Sequence, residues 1–332
     1  MSGRSNAEPA ESPVCTVCGS TEWTVAFGGR DARYGVPGQF TIRRCGTCGV
    51  MVTWPLPKLR QIPHLYPRAY QPHVVRSAPK AAPLAQGRSL LTRVASSQLF
   101  RLLRAVAGTT TYWMPPLQGG ARVLEIGCGI GDFLTRLAQR GWECYGVELS
   151  EQAARTAADR SGATVYAGAF ESLDLGPRVF DAIFAFHVIE HLLDPREVLV
   201  KARELLRPSG YLVLSVPNAD CWQMNVFKSR WQHSEIPRHL WHFGPAPLVR
   251  LLLSSGFTIE KLASQRHSTR DFLCSLGLVL RSASCYPCLT RHLMSLDSNE
   301  TFVFRLATLP LDWAHQVLRQ SSRLLGVARS IE

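Results

Sequence analysis

No apolar run reaches the roughly 18 residues that a bilayer-spanning helix needs. Phe272 to Leu280 is apolar apart from Cys274, Ser275 and Gly277, and it is too short to span. The first residues also lack the pattern of a secretory leader, so the expected location is cytoplasmic, with peripheral contact at a membrane left open. In that compartment the 10 cysteines are expected to be reduced or metal-bound, not paired as disulfides. Acid is scarce: 25 Asp and Glu stand against 37 Lys and Arg, a formal net charge of +12. The imbalance favours an anionic partner, whether a phosphorylated small molecule, nucleic acid or an anionic membrane surface. An arginine-rich proteome would give the same charge with no such partner. The 332 residues, 46% of them hydrophobic, suffice for one or two domains with a substantial core.

The most informative stretch is Val123-Leu124-Glu125-Ile126-Gly127-Cys128-Gly129-Ile130-Gly131-Asp132-Phe133-Leu134. A short apolar run ends in an acid, three glycines follow at alternate positions, and apolar residues then recur at helical spacing. This predicts a buried parallel strand, a tight turn that approaches a ligand closely, and a helix start. Dinucleotide-binding folds use a similar turn. The next strand, Cys144-Tyr145-Gly146-Val147-Glu148, ends in a carboxylate 17 residues after Gly131, where an acid can hold two ribose hydroxyls. Strands are further expected near 163–167, 180–185, 210–216 and 257–262, with helices near 131–140, 150–160, 195–207 and 245–255. Such alternation gives a parallel sheet covered on both faces.

With its acid ahead of the glycines, the pattern Glu125-x-Gly127-x-Gly129-x-Gly131 resembles motif I of class I S-adenosylmethionine (SAM) dependent methyltransferases. Phe180 to Pro195, containing His187-Val188-Ile189-Glu190-His191-Leu192, is similar to the fourth strand and following loop of the small-molecule branch. The resemblance covers roughly residues 89–262. It implies a Rossmann-like seven-stranded α/β sheet with helices on both faces, whose last, antiparallel strand would be Arg323 to Arg329. It also implies that Gly127, Gly129 and Gly131 clear space for SAM. Glu125 would orient the ammonium or the loop, and Glu148 would take the ribose. The family commonly has an acid for the adenine amino group where this chain has Ala169, so backbone groups and Phe170 would serve instead.

Two knuckles, Cys15-x2-Cys18-Gly19 and Cys45-x2-Cys48-Gly49, are separated by 26 residues. That is the spacing of a four-cysteine zinc ribbon, closed and therefore structural, over residues 13–54. Residues 1–12 read as a disordered start and 55–88 as a linker rich in proline and basic residues, with Tyr66 and Tyr70 in it. Arg30, Arg33, Arg43 and Arg44 between the knuckles read as a solvated hairpin face or as contacts to an anionic substrate. Ser89 to Ala107 predicts a basic amphipathic helix that covers the cofactor pocket or lies on a membrane. A third Cys-x2-Cys, Cys285 to Cys288, has no partner pair.

A hydroxyl or carbon-acid acceptor needs a base or a metal to remove its proton. His187, at the end of the fourth strand, is the leading candidate, with Glu190 and His191 beside it; a structural histidine is the alternative reading. His239 and His242, in Pro237-Arg238-His239-Leu240-Trp241-His242-Phe243, are candidates for a second base. Trp222, Trp231 and Trp241 would line an acceptor wall or pack the core. Asp194-Pro195 reads as a helix cap and first residue. Residues 264–320 are expected to be a helical insertion in a catalytic domain spanning 89–332. The expected activity is O-methylation of a small molecule, such as a saccharide, a lipid-linked precursor or a natural product. Related sugar C-methyltransferases carry a further C-terminal domain, for which no counterpart is expected here, so C-methylation is the less expected chemistry. Rivals are an RNA base methyltransferase, opposed by the missing Asn-Pro-Pro-Tyr type motif, and a non-catalytic binding protein of the same fold. Oligomeric state is not legible.

Overall fold

A computed structural model describes residues 13–67, 113–176, 179–265, 268–283, 286–295 and 302–331. The helix expected over Ser89 to Ala107, Tyr70 and Cys285 lie outside these residues.

Strands β1 (Trp23–Gly29), β2 (Phe40–Cys45) and β3 (Met51–Trp54) come first and pair antiparallel in sequence. Strands β4 (Arg122–Ile126), β5 (Glu143–Glu148), β6 (Thr164–Ala167), β7 (Phe180–Phe186) and β8 (Leu206–Pro217) then alternate with helices. These helices are α1 (Asp132–Ala138), α2 (Glu151–Ser161) and α3 (Pro195–Leu205). The chain continues through α4 (Trp222–Phe227), β9 (Trp241–His242), α5 (Pro245–Ser254) and β10 (Phe257–Ser264). Helices α6 (Ser268–Ser282), α7 (Pro287–Ser295) and α8 (Phe302–Val317) precede the final strand, β11 (Arg323–Ser330).

The main sheet has seven strands in the order β10-β11-β8-β7-β4-β5-β6, and β11 runs antiparallel to both neighbours. Its central strands read as continuous apolar runs because helices cover both faces. Val123, Leu124, Ala182, Ile183, Phe184 and Ala185 are all fully buried. Helix α3 packs Val198, Leu199, Ala202 and Leu205 inward. It starts at Asp194, whose carboxylate accepts from the backbone N–H of Arg196 (2.9 Å) and Glu197 (3.3 Å), with Pro195 as its first residue.

From β4 the sheet grows outward through β5 and β6, then the chain returns to β7 on the other side of β4. The carboxyl ends of β4 and β7 therefore flank the switch point at which such sheets bind ligands.

A second sheet, β1-β2-β3-β9, joins the cysteine-bearing segment to the rest of the chain. Met51 pairs with His242 and Val52 with Trp241, so the fourth strand comes from nearly 190 residues further along. The Thr16 hydroxyl donates to the Asp194 carboxylate at 2.6 Å, fastening the first knuckle to the cap of α3. Residues 59–65 of the expected linker form a short 3-10 helix, and Tyr66 behind it reaches His191.

Candidate active site

The glycine turn after β4 is built for close approach. Gly127 has φ +68°, and a Cβ there would lie 2.5 Å from Cγ2 of Val188, in the loop after β7. Gly131 has φ +81°, and its Cβ would meet the Ala157 backbone at 2.8 Å. Only glycine satisfies both demands. Glu148, at the end of β5, accepts from Gly129 N–H through Oε2 and from Ser150 N–H through Oε1, each at 2.9 Å. Glu125 is buried, and its Oε2 has no hydrogen-bond partner. Burial holds its carboxyl well above the ordinary carboxylate value. A backbone hydrogen bond at Leu134 opposes the shift and the neighbouring Glu148 adds to it. A buried acceptor without a donor, beside a turn with no room for side chains, fits a ligand that brings an ammonium and ribose hydroxyls. Ala169 precedes a 3-10 turn, Phe170–Ser172, in which Phe170 is 3% exposed with the Lys201 ammonium 5.2 Å above its ring.

Opposite this turn, His187 takes φ +57°, a left-handed conformation that a non-glycine residue holds at a cost of about 1–3 kcal/mol. Its Nδ1 lies 3.2 Å from Glu190 Oε1. Burial, then the charge of Arg323, pulls its imidazole below the usual histidine value, although 34% of the side chain still meets solvent. Glu190 is almost wholly buried, which pushes its carboxyl up to about 7 against the opposing influence of His191. His191 and His239 meet edge to face, with ring centroids 4.5 Å apart. The Nδ1 of His239 lies 2.7 Å from the His233 carbonyl, and that of His191 lies 3.1 Å from the Arg238 carbonyl. A carbonyl only accepts, so the His239 ring carries its proton on Nδ1, whereas His191 Nδ1 also faces the Tyr66 hydroxyl at 3.1 Å, a group that can donate or accept. Burial keeps both imidazoles below the usual range. The structure thus brings His187, Glu190, His191 and His239 together. His242 stands apart, in the seam where β3 meets β9, with Nε2 3.0 Å from the Thr53 hydroxyl.

A family model described as a methyltransferase domain matches residues 96–262. The chain belongs to that family. Among methyltransferases of curated function, the ubiquinone biosynthesis O-methyltransferase of Bradyrhizobium diazoefficiens is 30% identical over 154 residues, 43% of this chain and 60% of that protein. The corresponding protein of Chromobacterium violaceum is 25% identical over 170 residues, 48% of this chain and 73% of its own. The chain thus spans less than two thirds of the first of these relatives. Among solved structures, phosphoethanolamine N-methyltransferase 2 of Haemonchus contortus, in complex with SAM, aligns with a TM-score of 0.43 and 16% identity. That alignment covers 70% of this chain and 53% of the other.

Beyond the methyltransferase core, the four knuckle cysteines converge. Cys15 Sγ lies 3.6 Å from Cys48 Sγ, Cys18 Sγ lies 3.6 Å from Cys45 Sγ, and all four sulfurs are within 4.8 Å of one another. Four thiolates about 2.3 Å from one tetrahedral ion would sit about 3.8 Å apart, so the cluster is able to hold a metal with no open position. Cys288, by contrast, is exposed.

Several residues read otherwise in the sequence take part in the docking of these parts. Arg33 pairs with Glu235 at 3.3 Å, and the Arg43 guanidinium lies over Trp54. Arg33 is thus largely enclosed in an ion pair, and Arg43 is half-buried against an aromatic ring. Trp231 and Trp241 are core residues, and the Trp241 indole N–H donates to the Leu192 carbonyl at 3.0 Å. Sequence reasoning missed His233, whose ring stacks on His187 at 6.2 Å and whose Nε2 is 2.9 Å from Asp271 Oδ2. It also missed Asp271, which the Arg323 guanidinium grips at 3.0 Å, and the buried pair Arg238 and Asp31. An acid directly before the apolar stretch from Phe272 was the one available signal for Asp271.

Proposed function

We propose that the chain transfers the methyl group of SAM to a hydroxyl of a small molecule, with a saccharide, lipid-linked precursor or natural product as acceptor. The convergence of the glycine turn, Glu148 and His187 at the carboxyl ends of β4, β5 and β7 carries this reading. Bound SAM supplies a methyl already activated by its sulfonium, so alignment accounts for much of the rate. Gly127 and Gly131 admit the ligand against the backbone, Glu148 accepts from the ribose hydroxyls, and the unpartnered oxygen of Glu125 accepts from the ammonium or braces the turn. His187, neutral at pH 7 and partly open to solvent, takes the acceptor's proton with Glu190 behind it. Such proton removal contributes about 10²–10⁴-fold. The four-cysteine cluster holds a structural Zn2+.

The test incubates purified protein and a fractionated host extract with methyl-labelled SAM, with Gly129→Arg as the control. Label in the saccharide or lipid fraction, absent with the control, is expected. Label in RNA would overturn the acceptor class while keeping the reaction.

A further inference from the structure

Helix α8 is built inside out. On a helical wheel Thr308, Asp312, His315 and Gln316 share one side, and that side faces the protein. Asp312 accepts from the Thr269 backbone N–H at 2.8 Å, and the Thr308 hydroxyl donates to its other oxygen at 3.4 Å. The Gln316 amide donates to the Ser264 carbonyl at 3.0 Å, and the His315 ring stacks on Trp222. The opposite side carries Ala307, Pro310, Leu311, Val317 and Leu318, with Trp313 at its margin. Leu311, Trp313, Val317 and Leu318 are 57–67% exposed. A surface helix ordinarily hides its apolar stripe and shows its polar one. Single exposed apolar residues need no explanation, but a continuous stripe of them marks a surface that meets a partner or a membrane.

The charge around the stripe selects between these. The acids of α6, α7 and α8 among the described residues, Asp271 and Asp312, are both buried. Arg319, directly after Leu318, and Arg291 on α7 are exposed. An apolar stripe edged by tryptophan, with arginine beyond it, suits a helix lying in the headgroup region of a bilayer. A second copy of this chain would set a like net charge of +12 against itself. An anionic lipid surface answers both the stripe and the excess of arginine.

We propose that α8 is a docking surface for an anionic lipid bilayer. Leu311, Trp313, Val317 and Leu318 enter the headgroup region, and Arg319 meets the lipid phosphates. The helix lies one layer from the site described above, because it packs on α6, whose Asp271 reaches His233 beside His187. A lipid-linked acceptor would be met at this surface. That link rests on the methyl-transfer reading, whereas the docking surface itself does not.

The test floats the full chain with vesicles, in the absence of SAM and acceptor. One set is phosphatidylcholine alone, and the other is equal parts phosphatidylcholine and phosphatidylglycerol. Binding to the anionic vesicles, stronger than to phosphatidylcholine alone by about tenfold or more, is expected. Trp313→Ser, and the double variant Leu311→Ser with Leu318→Ser, should each weaken it by about tenfold or more, because each removes apolar area from the stripe. Val25→Ser, at a comparably exposed apolar residue on β1, should leave it unchanged. Circular dichroism shows that each variant is folded. Three results overturn the proposal: no flotation of the wild type with either vesicle, flotation unchanged in both folded α8 variants, or a wild-type dimer in analytical ultracentrifugation that the same substitutions split. Flotation lost in the α8 variants, without methyl transfer by the wild type to any extract fraction, would support the surface and count against the proposed reaction.

Discussion

Gly127 sits where two loops of the sheet's carboxyl edge touch, and the space beside it is already taken by Val188. Gly127→Ala therefore brings both a left-handed alanine and a clash, and backbone strain of this kind costs about 1–3 kcal/mol. SAM affinity should fall about tenfold or more, read by calorimetry, with the secondary structure unchanged. The motif was legible because Glu125, the glycines and Glu148 lie within 24 consecutive residues whose spacing is set by one strand-turn-helix-strand unit. Asp31 was not, because its partner Arg238 is 207 residues away and nothing local marks either residue. Burial pushes the Asp31 carboxyl up, but hydrogen bonds and charge from Arg238 prevail and leave it below the ordinary value. Asp271 behaves likewise, held down by Arg323 and His233 against its own burial. Both folded carboxyls thus ionise more readily than in the unfolded chain. Their stabilisation is present at neutral pH and is lost as pH falls below about 4 through the lowered folded values. The denaturant midpoint should drop on acidification through that range. In Asp31→Asn it should be lower at pH 7 and fall less steeply, because breaking a buried pair costs about 3–5 kcal/mol at neutral pH.

Elements were legible where hydrophobic period and caps agreed. Helix α3 announced itself by Asp194-Pro195 and by apolar residues on one face, and Asp194→Ala should cost about 0.5–2 kcal/mol, seen as a lower unfolding midpoint. The pairing of β3 with β9 was not legible, since a two-residue strand carries no period and its partner lies far upstream. Thr53 marks that seam, donating to the His239 carbonyl at 2.6 Å and contacting His242. Thr53→Val keeps the shape but leaves both groups unpaired, and should destabilise by about 1–3 kcal/mol in denaturant unfolding. The same geometry explains why His242 looked like a base in the sequence. It shares a short aromatic stretch with His239, but its ring completes a sheet contact.

Across the whole molecule, the cysteine-bearing segment is coupled to the cluster of His187, Glu190, His191 and His239 by the β3–β9 pairing, the Thr16–Asp194 bond, the Asp31–Arg238 pair and the Tyr66–His191 contact. Removing the metal proposed for the four cysteines with a chelator should therefore lower the thermal unfolding temperature of the entire chain, not only of its first residues. Calorimetry would show one broadened, earlier transition in place of an unchanged main peak. The sequence marked two modules but not their joint, because contacts across 100 residues or more leave no periodic trace. The central claim is that the edge of the sheet at β4, β5 and β7 binds SAM. Its most direct test is a calorimetric titration of the full chain with SAM, run in parallel with Gly129→Arg. One equivalent bound by the wild type and none by the folded variant is the predicted result. Absence of binding to the wild type, or equal binding by both, would contradict the account.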